Sequence, residues 1–442
     1  MTDPEMSVTP YWELTFDADG DVDARQRDRL VKELAQRKVG DLIVFSHGWN
    51  TDRSGATRLY SRFFEPVPAL VPKARLGYVG VLWPSMRFSD EPIPDLPPSV
   101  AAEVPATARP MLDKGTRHSL LEVFPGRATI VEQIARLLDQ QPDEEASLEE
   151  FGRLVRLLVE VRPGGPQASF AADTLTEGEP AGDPLMLFGD TATVCGEFAQ
   201  ALAELEGPGG ASFAMPRLWD GAHELLRQAT YYAMKRRAGT VGERGLGPVI
   251  GRLAKASPEV RVHLVGHSFG GRLVSFALRG LPEGVRAVKS VTLLQGAFSH
   301  YAFAARLPHD PRASGALNGR QNRIDGPLVC CYSRFDSALG TIYPLASRMA
   351  NDSRTVTADF GIGIGRKLGP EWGAMGHDGV QAVAGTRAFT LAEALKAKLP
   401  ATGCVNIDAA SVVKRGGSPS GAHSDICHRE LAQVMLAAGR VR

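Results

Sequence analysis

The sequence has no surplus of charge of either sign: Lys plus Arg and Asp plus Glu both number 50. A chain whose business is the nucleic-acid backbone normally carries a basic excess, so no nucleic-acid partner is expected. Cysteine is scarce, with only Cys195, Cys330, Cys331, Cys404 and Cys427. The number is odd and no pair has metal-ligand spacing, which argues against both a disulfide framework and a zinc site. Long apolar runs are missing too. Nothing approaches the roughly 18 consecutive apolar residues of a membrane span. Residues Met1 to Tyr11 hold acidic side chains and no apolar stretch of signal-peptide length, so the expected compartment is the cytoplasm.

What remains is the composition of an ordinary globular protein, 43% hydrophobic and 23% charged over 442 residues. Near the N-terminus, strand and helix signals alternate. Tyr11 to Phe16 alternates as a strand, and helical spacing follows through Leu30 and Leu34. Leu42 to Phe45 is a short apolar run of the kind that forms a buried parallel strand. Ala56 to Phe64 reads as a helix and Val79 to Leu82 as the next strand, ending at Trp83-Pro84. Strands separated by helices predict a mostly parallel sheet with helices on its faces, an α/β fold.

The rhythm breaks after Trp83. Ser85 to Pro110 is proline-rich and aperiodic, and helical signals follow. Thr129 with Glu132 and Ser147 with Glu150 have capping-box spacing, and Phe151, Leu154, Val155 and Leu158 form a helical stripe. Val194 to Leu205 also reads as a helix. Residues 85–215 are therefore expected to be a helical cap insertion, with residues 1–84 and 216–442 as the core. The sheet rhythm returns near Leu218, with a long helix carrying Leu225, Ala229 and Tyr232. Strands are expected at Val260 to Val265, Val288 to Leu294, Leu328 to Tyr332 and, with a weaker pattern, Cys404 to Val413. Arg429 to Ala438 reads as the last helix.

The strongest chemical signal is Gly266-His267-Ser268-Phe269-Gly270, set between a strand and a helix. A serine on a sharp strand-to-helix turn presents its hydroxyl above the sheet edge, and flanking glycines remove side chains that would clash there. Such a hydroxyl is a candidate nucleophile. It needs a base, and the base needs an orienting acid. Asp336 follows the strand Leu328 to Tyr332, and His423 lies in a loop before the last helix. Rival bases are His300, His309, His377 and His428, of which His377 is the most serious. Rival acids are Asp310, Asp325 and Asp352. Ser46-His-Gly48-Trp49-Asn50 follows an early strand, where the backbone N–H of Trp49 could join that of Phe269 in binding an oxyanion.

Other signals carry less. Asp17, Asp19, Asp21 and Asp23 lack the glycine position and closing Glu of a calcium loop, so a turn into a helix is the plainer reading. Gly361 to Gly365 lacks the ending of a phosphate-binding loop. Cys330 and Cys331 should point to opposite faces of a strand as small hydrophobes. Lys235-Arg236-Arg237 reads as a solvated helix end, and Tyr231, Tyr232 and Met234 as a core-facing stripe. The expected role of His267 is packing or support of its neighbours.

Taken in order, Ser46-His-Gly-Trp-Asn50, Trp83-Pro84-Ser85, the Ser268 motif and Gly421-Ala-His423-Ser-Asp resemble the α/β-hydrolase superfamily, most nearly a bacterial branch with lipase-like motifs. The resemblance covers about Tyr11 to Trp83 and Leu218 to Leu436, not the insertion. It implies a Ser268–Asp336–His423 triad, no cofactor and a cap over the site. The expected activity is cleavage of a carboxylic ester, lipid-like esters included, through an acyl-enzyme. A serine peptidase or amidase would use the same triad, and a non-catalytic binding protein could share the fold.

Overall fold

The computed structural model describes residues 6–86, 88, 112–160, 169–178, 184–206, 218–342, 370–416 and 421–442. Its centre is an eight-stranded sheet. In chain order the strands are β1 (Tyr11–Thr15), β2 (Asp41–Ser46), β3 (Leu76–Leu82), β5 (Arg261–His267), β6 (Val288–Leu294), β8 (Pro327–Tyr332), β9 (Arg387–Thr390) and β10 (Gly403–Asp408), and across the sheet they run β1-β3-β2-β5-β6-β8-β10-β9. The two remaining strands, β4 (Thr174–Thr176) and β7 (Ala313–Gly315), form a separate antiparallel pair. Every pairing within the large sheet is parallel. Parallel strands must be covered on both faces, which explains the unbroken apolar runs of β2 and β5.

The two coverings are distinct apolar layers. Leu42, Val44 and Leu264 face one layer, whereas their neighbours Ile43, Phe45 and Val265 face the other. Cys330 and Cys331 divide in the same way, so the two thiols do point to opposite faces. Burial pushes the Cys331 thiol up to about 12, and it stays a small neutral hydrophobe. The first layer holds α1 (Ala24–Arg37), α8 (Leu218–Thr240), α9 (Gly247–Ala256) and α10 (Phe269–Gly280). The second holds α2 (Arg53–Phe64), α3 (Val67–Leu70), α12 (Leu391–Ala394) and α13 (Arg429–Gly439). The short α11 (Met375–Asp378) lies beside the C-terminal end of β8.

Between β3 and α8 the described residues form α4 (Lys114–Val123), α5 (Ala128–Gln140), α6 (Glu145–Leu158) and α7 (Thr191–Glu206). The stripe Phe151, Leu154, Val155 and Leu158 is buried, continuous with the apolar layer of α8 and α10. Most of the proline-rich stretch, Gly207 to Gly210 and the Gly361 to Gly365 loop lie outside the described residues.

Several local expectations need correction. Thr129 and Ser147 do not cap their helices. α5 starts at Ala128 behind Arg127 and α6 at Glu145 behind Glu144, neither with a side-chain cap, so both residues sit inside the first turn. The basic run on α8 is not a solvated end. The helix continues past it, and Lys235 lies buried at 2.9 Å from Asp173. Arg237 donates to the carbonyls of Pro84 (2.9 Å) and Val123 (3.1 Å), and burial lowers its guanidinium to about 10. The missing signal was the length of α8, which carries these cations into the middle of the molecule. The acidic N-terminal run does form a turn: Asp17 accepts the backbone N–H of Asp19 and Asp21, and Asp23 caps α1. Among the described residues no helix is long and apolar enough to cross a membrane.

Candidate functional site

The C-terminal ends of β2, β5, β8 and β10 converge on Ser268. This residue follows β5 and precedes α10, with φ 55° and ψ −122°. A non-glycine residue at positive φ is strained, and such strain collects at functional sites. The neighbours must be small for the turn to close. A Cβ on Gly266 would stand 2.3 Å from the carbonyl oxygen of Gly270, and one on Gly270 would stand 2.0 Å from that of Ser46. The turn leaves the Ser268 hydroxyl at the mouth of the sheet.

His423 reaches that hydroxyl. Its Nε2 lies 2.9 Å from Ser268 Oγ and its Nδ1 lies 2.7 Å from Asp336 Oδ2. The three residues come from loops after three different strands. Asp336 is fully buried, and its Oδ1 accepts the backbone N–H of Leu339 at 3.0 Å. The acid loop and the base loop are joined directly, since the N–H of Ala422 donates to the carbonyl of Phe335 at 2.9 Å. In this arrangement His423 can take the Ser268 proton while Asp336 orients the ring.

The rivals sit elsewhere. His377 pairs with Asp378 at 2.7 Å, and His428 with Asp425 at 2.8 Å. His300 lies 3.3 Å from Asp378 and against the Tyr301 ring, which also faces His309. Asp310 accepts the backbone N–H of Arg312, and Asp325 pairs with Lys289 at 2.6 Å. Asp352 lies outside the described residues.

Gly48 brings the loop after β2 against the nucleophile. A Cβ there would approach Ser268 Cβ to 2.7 Å and Oγ to 3.2 Å, so only glycine lets this backbone come so close. Trp83 donates its indole N–H to the carbonyl of His47 at 3.0 Å and stacks on the His47 ring, fixing the loop. Trp49 follows, and Phe269 is the first residue of α10, where backbone N–H groups have no partner inside the helix. Both N–H groups therefore belong to the backbone that borders Ser268. The Trp49 ring meets Phe88, Tyr231 and Phe269 at centroid distances of 6.1, 5.2 and 6.4 Å. Tyr231 is half-buried and packs against the core, as the expected stripe requires, and Tyr232 and Met234 are buried.

Two supporting residues complete the site. His267 Nε2 lies 2.9 Å from the carbonyl oxygen of His423. Burial, with His423 nearby, lowers His267 to about 3, so its ring is neutral and donates from Nε2 to brace the base loop. Gln295, which the sequence reading passed over, sits at the end of β6 with its amide turned to Asp336. The available signal was a polar residue directly after an apolar parallel strand, at the end where ligands bind. A second Ser/His/Asp grouping lies at the opposite end of the sheet. His263 Nε2 is 2.8 Å from Asp41, and its Nδ1 is 2.9 Å from Ser290 Oγ. Among the described residues no group of three His, Cys, Asp or Glu side chains could hold a metal ion.

No protein-family model matches this chain, and it has no significant match to a curated protein or to a solved structure.

Proposed function

We propose that the protein is an α/β-hydrolase-type serine hydrolase that cleaves carboxylic esters through an acyl-enzyme. The observation that carries the proposal is the continuous chain from Ser268 Oγ through His423 to Asp336, at 2.9 and 2.7 Å, on a strained strand-to-helix turn. Ser268 Oγ attacks the ester carbonyl carbon as His423 Nε2 takes its proton. The oxyanion is received by the backbone N–H groups of Phe269 and Trp49. The tetrahedral intermediate then expels the alcohol, which takes the proton from His423 and leaves an acyl group on Ser268. Water repeats the sequence and releases the acid.

Residues 85–215 are read as a cap that sets substrate choice. Support comes from Phe88, whose N–H donates to Asn50 Oδ1 at 2.8 Å and whose ring meets Trp49, so the start of the insertion touches the loop beside Ser268. The aromatic surroundings of Trp49 favour an apolar acyl group over a charged one.

A fluorophosphonate probe tests the nucleophile. Ser268 is expected to be labelled, and Ser268→Ala to abolish labelling; unchanged labelling in that variant sinks the assignment. Esters of graded acyl length, run beside peptide and anilide substrates, then separate an esterase from a peptidase or amidase with the same triad.

A further inference from the structure

We propose that Gln295 is a positioning residue that holds the Asp336 carboxylate in line with His423. The inference rests on the triad reading and deepens it. Gln295 Nε2 lies 3.2 Å from Asp336 Oδ2, the same oxygen that accepts His423 Nδ1 at 2.7 Å. With Leu339 N–H on Oδ1, three donors fix the plane of one buried carboxylate. The amide also reaches the carbonyl of Gly376 at 3.3 Å and so faces two acceptors. Both require the NH2 group on that side, because the flipped amide would place oxygen against oxygen.

Gln295 occupies this place at visible cost. It has φ 49° without being glycine, its side chain is fully buried, and its Oε1 is buried with no hydrogen-bond partner. Positive φ and an unpaired buried carbonyl each disfavour the folded state. Glycine would remove both, and leucine would remove the second. Neither would give Asp336 a donor. Glutamate would set a second carboxylate beside the first. Only a neutral donor of this length meets the need of a buried carboxylate that must stay aimed at a histidine.

The competing role is a plain staple, in which the amide merely ties β6 to Gly376. Gln295→Gly, Gln295→Leu and Gln295→Glu separate the two roles. Each is measured by fluorophosphonate labelling of Ser268 and by NMR titration of the His423 ring, which needs no turnover. Titratable groups facing the pair from packed elements include His267 on β5 and His377 on α11, with His47 near His267, and the substitutions leave all three in place. Gln295→Gly and Gln295→Leu are expected to label about ten- to hundredfold more slowly, the rate equivalent of one hydrogen bond to a charged group. The glycine variant should be no less stable than the parent. In Gln295→Glu the added negative charge should move the His423 midpoint to higher pH.

Wild-type labelling rates in Gln295→Gly and Gln295→Leu overturn the proposal and leave the hydrolase reading in place. A parent protein that does not label, with a His423 midpoint that shifts in the uncharged Gln295→Leu variant, removes the hydrolase reading and keeps Gln295 as the residue that orients Asp336. Should the glycine variant fail to fold, the leucine variant decides by its labelling rate and its His423 midpoint.

Discussion

Two serine–histidine–aspartate chains of hydrogen bonds cross this sheet, one at each end. Ser268, His423 and Asp336 meet beyond the C-terminal ends of the strands. Ser290, His263 and Asp41 meet near the N-terminal ends, with contacts of 2.9 and 2.8 Å against 2.9 and 2.7 Å in the first set. Residue types and distances do not tell them apart. Backbone and surroundings do. Ser290 lies inside strand β6, beside a register shift against β5, whereas Ser268 stands on a turn with φ 55°. The His263 side chain has 0% exposure and that of His423 has 16%. The end of α13 seals His263, where a Cβ on Gly439 would lie 2.5 Å from Nδ1. No substrate carbonyl can reach Ser290, and the grouping serves as a satisfied buried polar network. The difference teaches that residue types and distances do not single out one grouping; the strained backbone of Ser268 and the partly open histidine beside it do.

The largest effect that would break this comparison is kinetic. His423→Ala should lower ester turnover by about four orders of magnitude or more, because triad members act as a unit. His263→Ala should leave kcat within a few-fold wherever the variant is folded. Equal losses in steady-state assays of the two would show that the ends are not functionally different.

Stability should show the reverse order. His263→Ala empties a sealed site and deprives Ser290 and Asp41 of a partner, at a cost of about 2–4 kcal/mol. His423→Ala, in a partly open site, should cost about 1 kcal/mol or less. Urea unfolding of both variants, with unchanged slopes, decides the order.

The next effect is a pH dependence shared by the two ends. Burial lowers His47 from 6.5 to about 4 and His267 to about 3, and it lowers His263 as well. Each histidine takes up a proton more readily in the unfolded chain than in the folded one. Their contribution is therefore complete above pH 6.5 and is lost as pH falls from there through about 4 and about 3. Each group adds a slope of up to about 1.4 kcal/mol per pH unit within its window. Urea midpoints measured from pH 7 to 4 should fall, and His47→Asn should flatten the fall. A midpoint independent of pH would contradict neutral buried rings.

The smallest effect concerns the serine of the sealed set. Ser290→Ala should change stability by about 1 kcal/mol or less and leave fluorophosphonate labelling untouched. Loss of labelling in that variant would undo the distinction between the two serines.

The sheet was legible because parallel strands are buried on both faces and therefore read as short apolar runs. Val288 to Leu294 was placed to the residue, and β5 and β8 to within two. The four-residue edge strand β9 (sequence Arg-Ala-Phe-Thr) was not read, because an exposed edge needs no apolar run. The β4–β7 pair was invisible for another reason: its three-residue strands are set by a partner about 140 positions away in the chain. In the site, Ser268, Asp336 and His423 were legible from motif and chain order, and the structure brings them together. Gln295 carries no motif, since its role depends on a backbone angle and on a carboxylate 41 positions later. The charges of α8 were misread because a run of cations looks the same whether its partners are water or a buried aspartate.

That buried aspartate has a practical consequence. Asp173 lies within the insertion, yet it binds Lys235 of α8 at 2.9 Å and Arg272 of α10 at 3.0 Å, and it accepts the N–H of Ser299 after β6. Arg272 stands one helical turn beyond Ser268. The chain between β3 and α8 is thus not a detachable module, because part of it belongs to the foundation of the Ser268 turn. Anyone replacing this segment must leave residues 169–178 in place and cut on either side of them. Grafts that remove Asp173 would strand two cations, Lys235 and Arg272, in the interior and lose the folded scaffold.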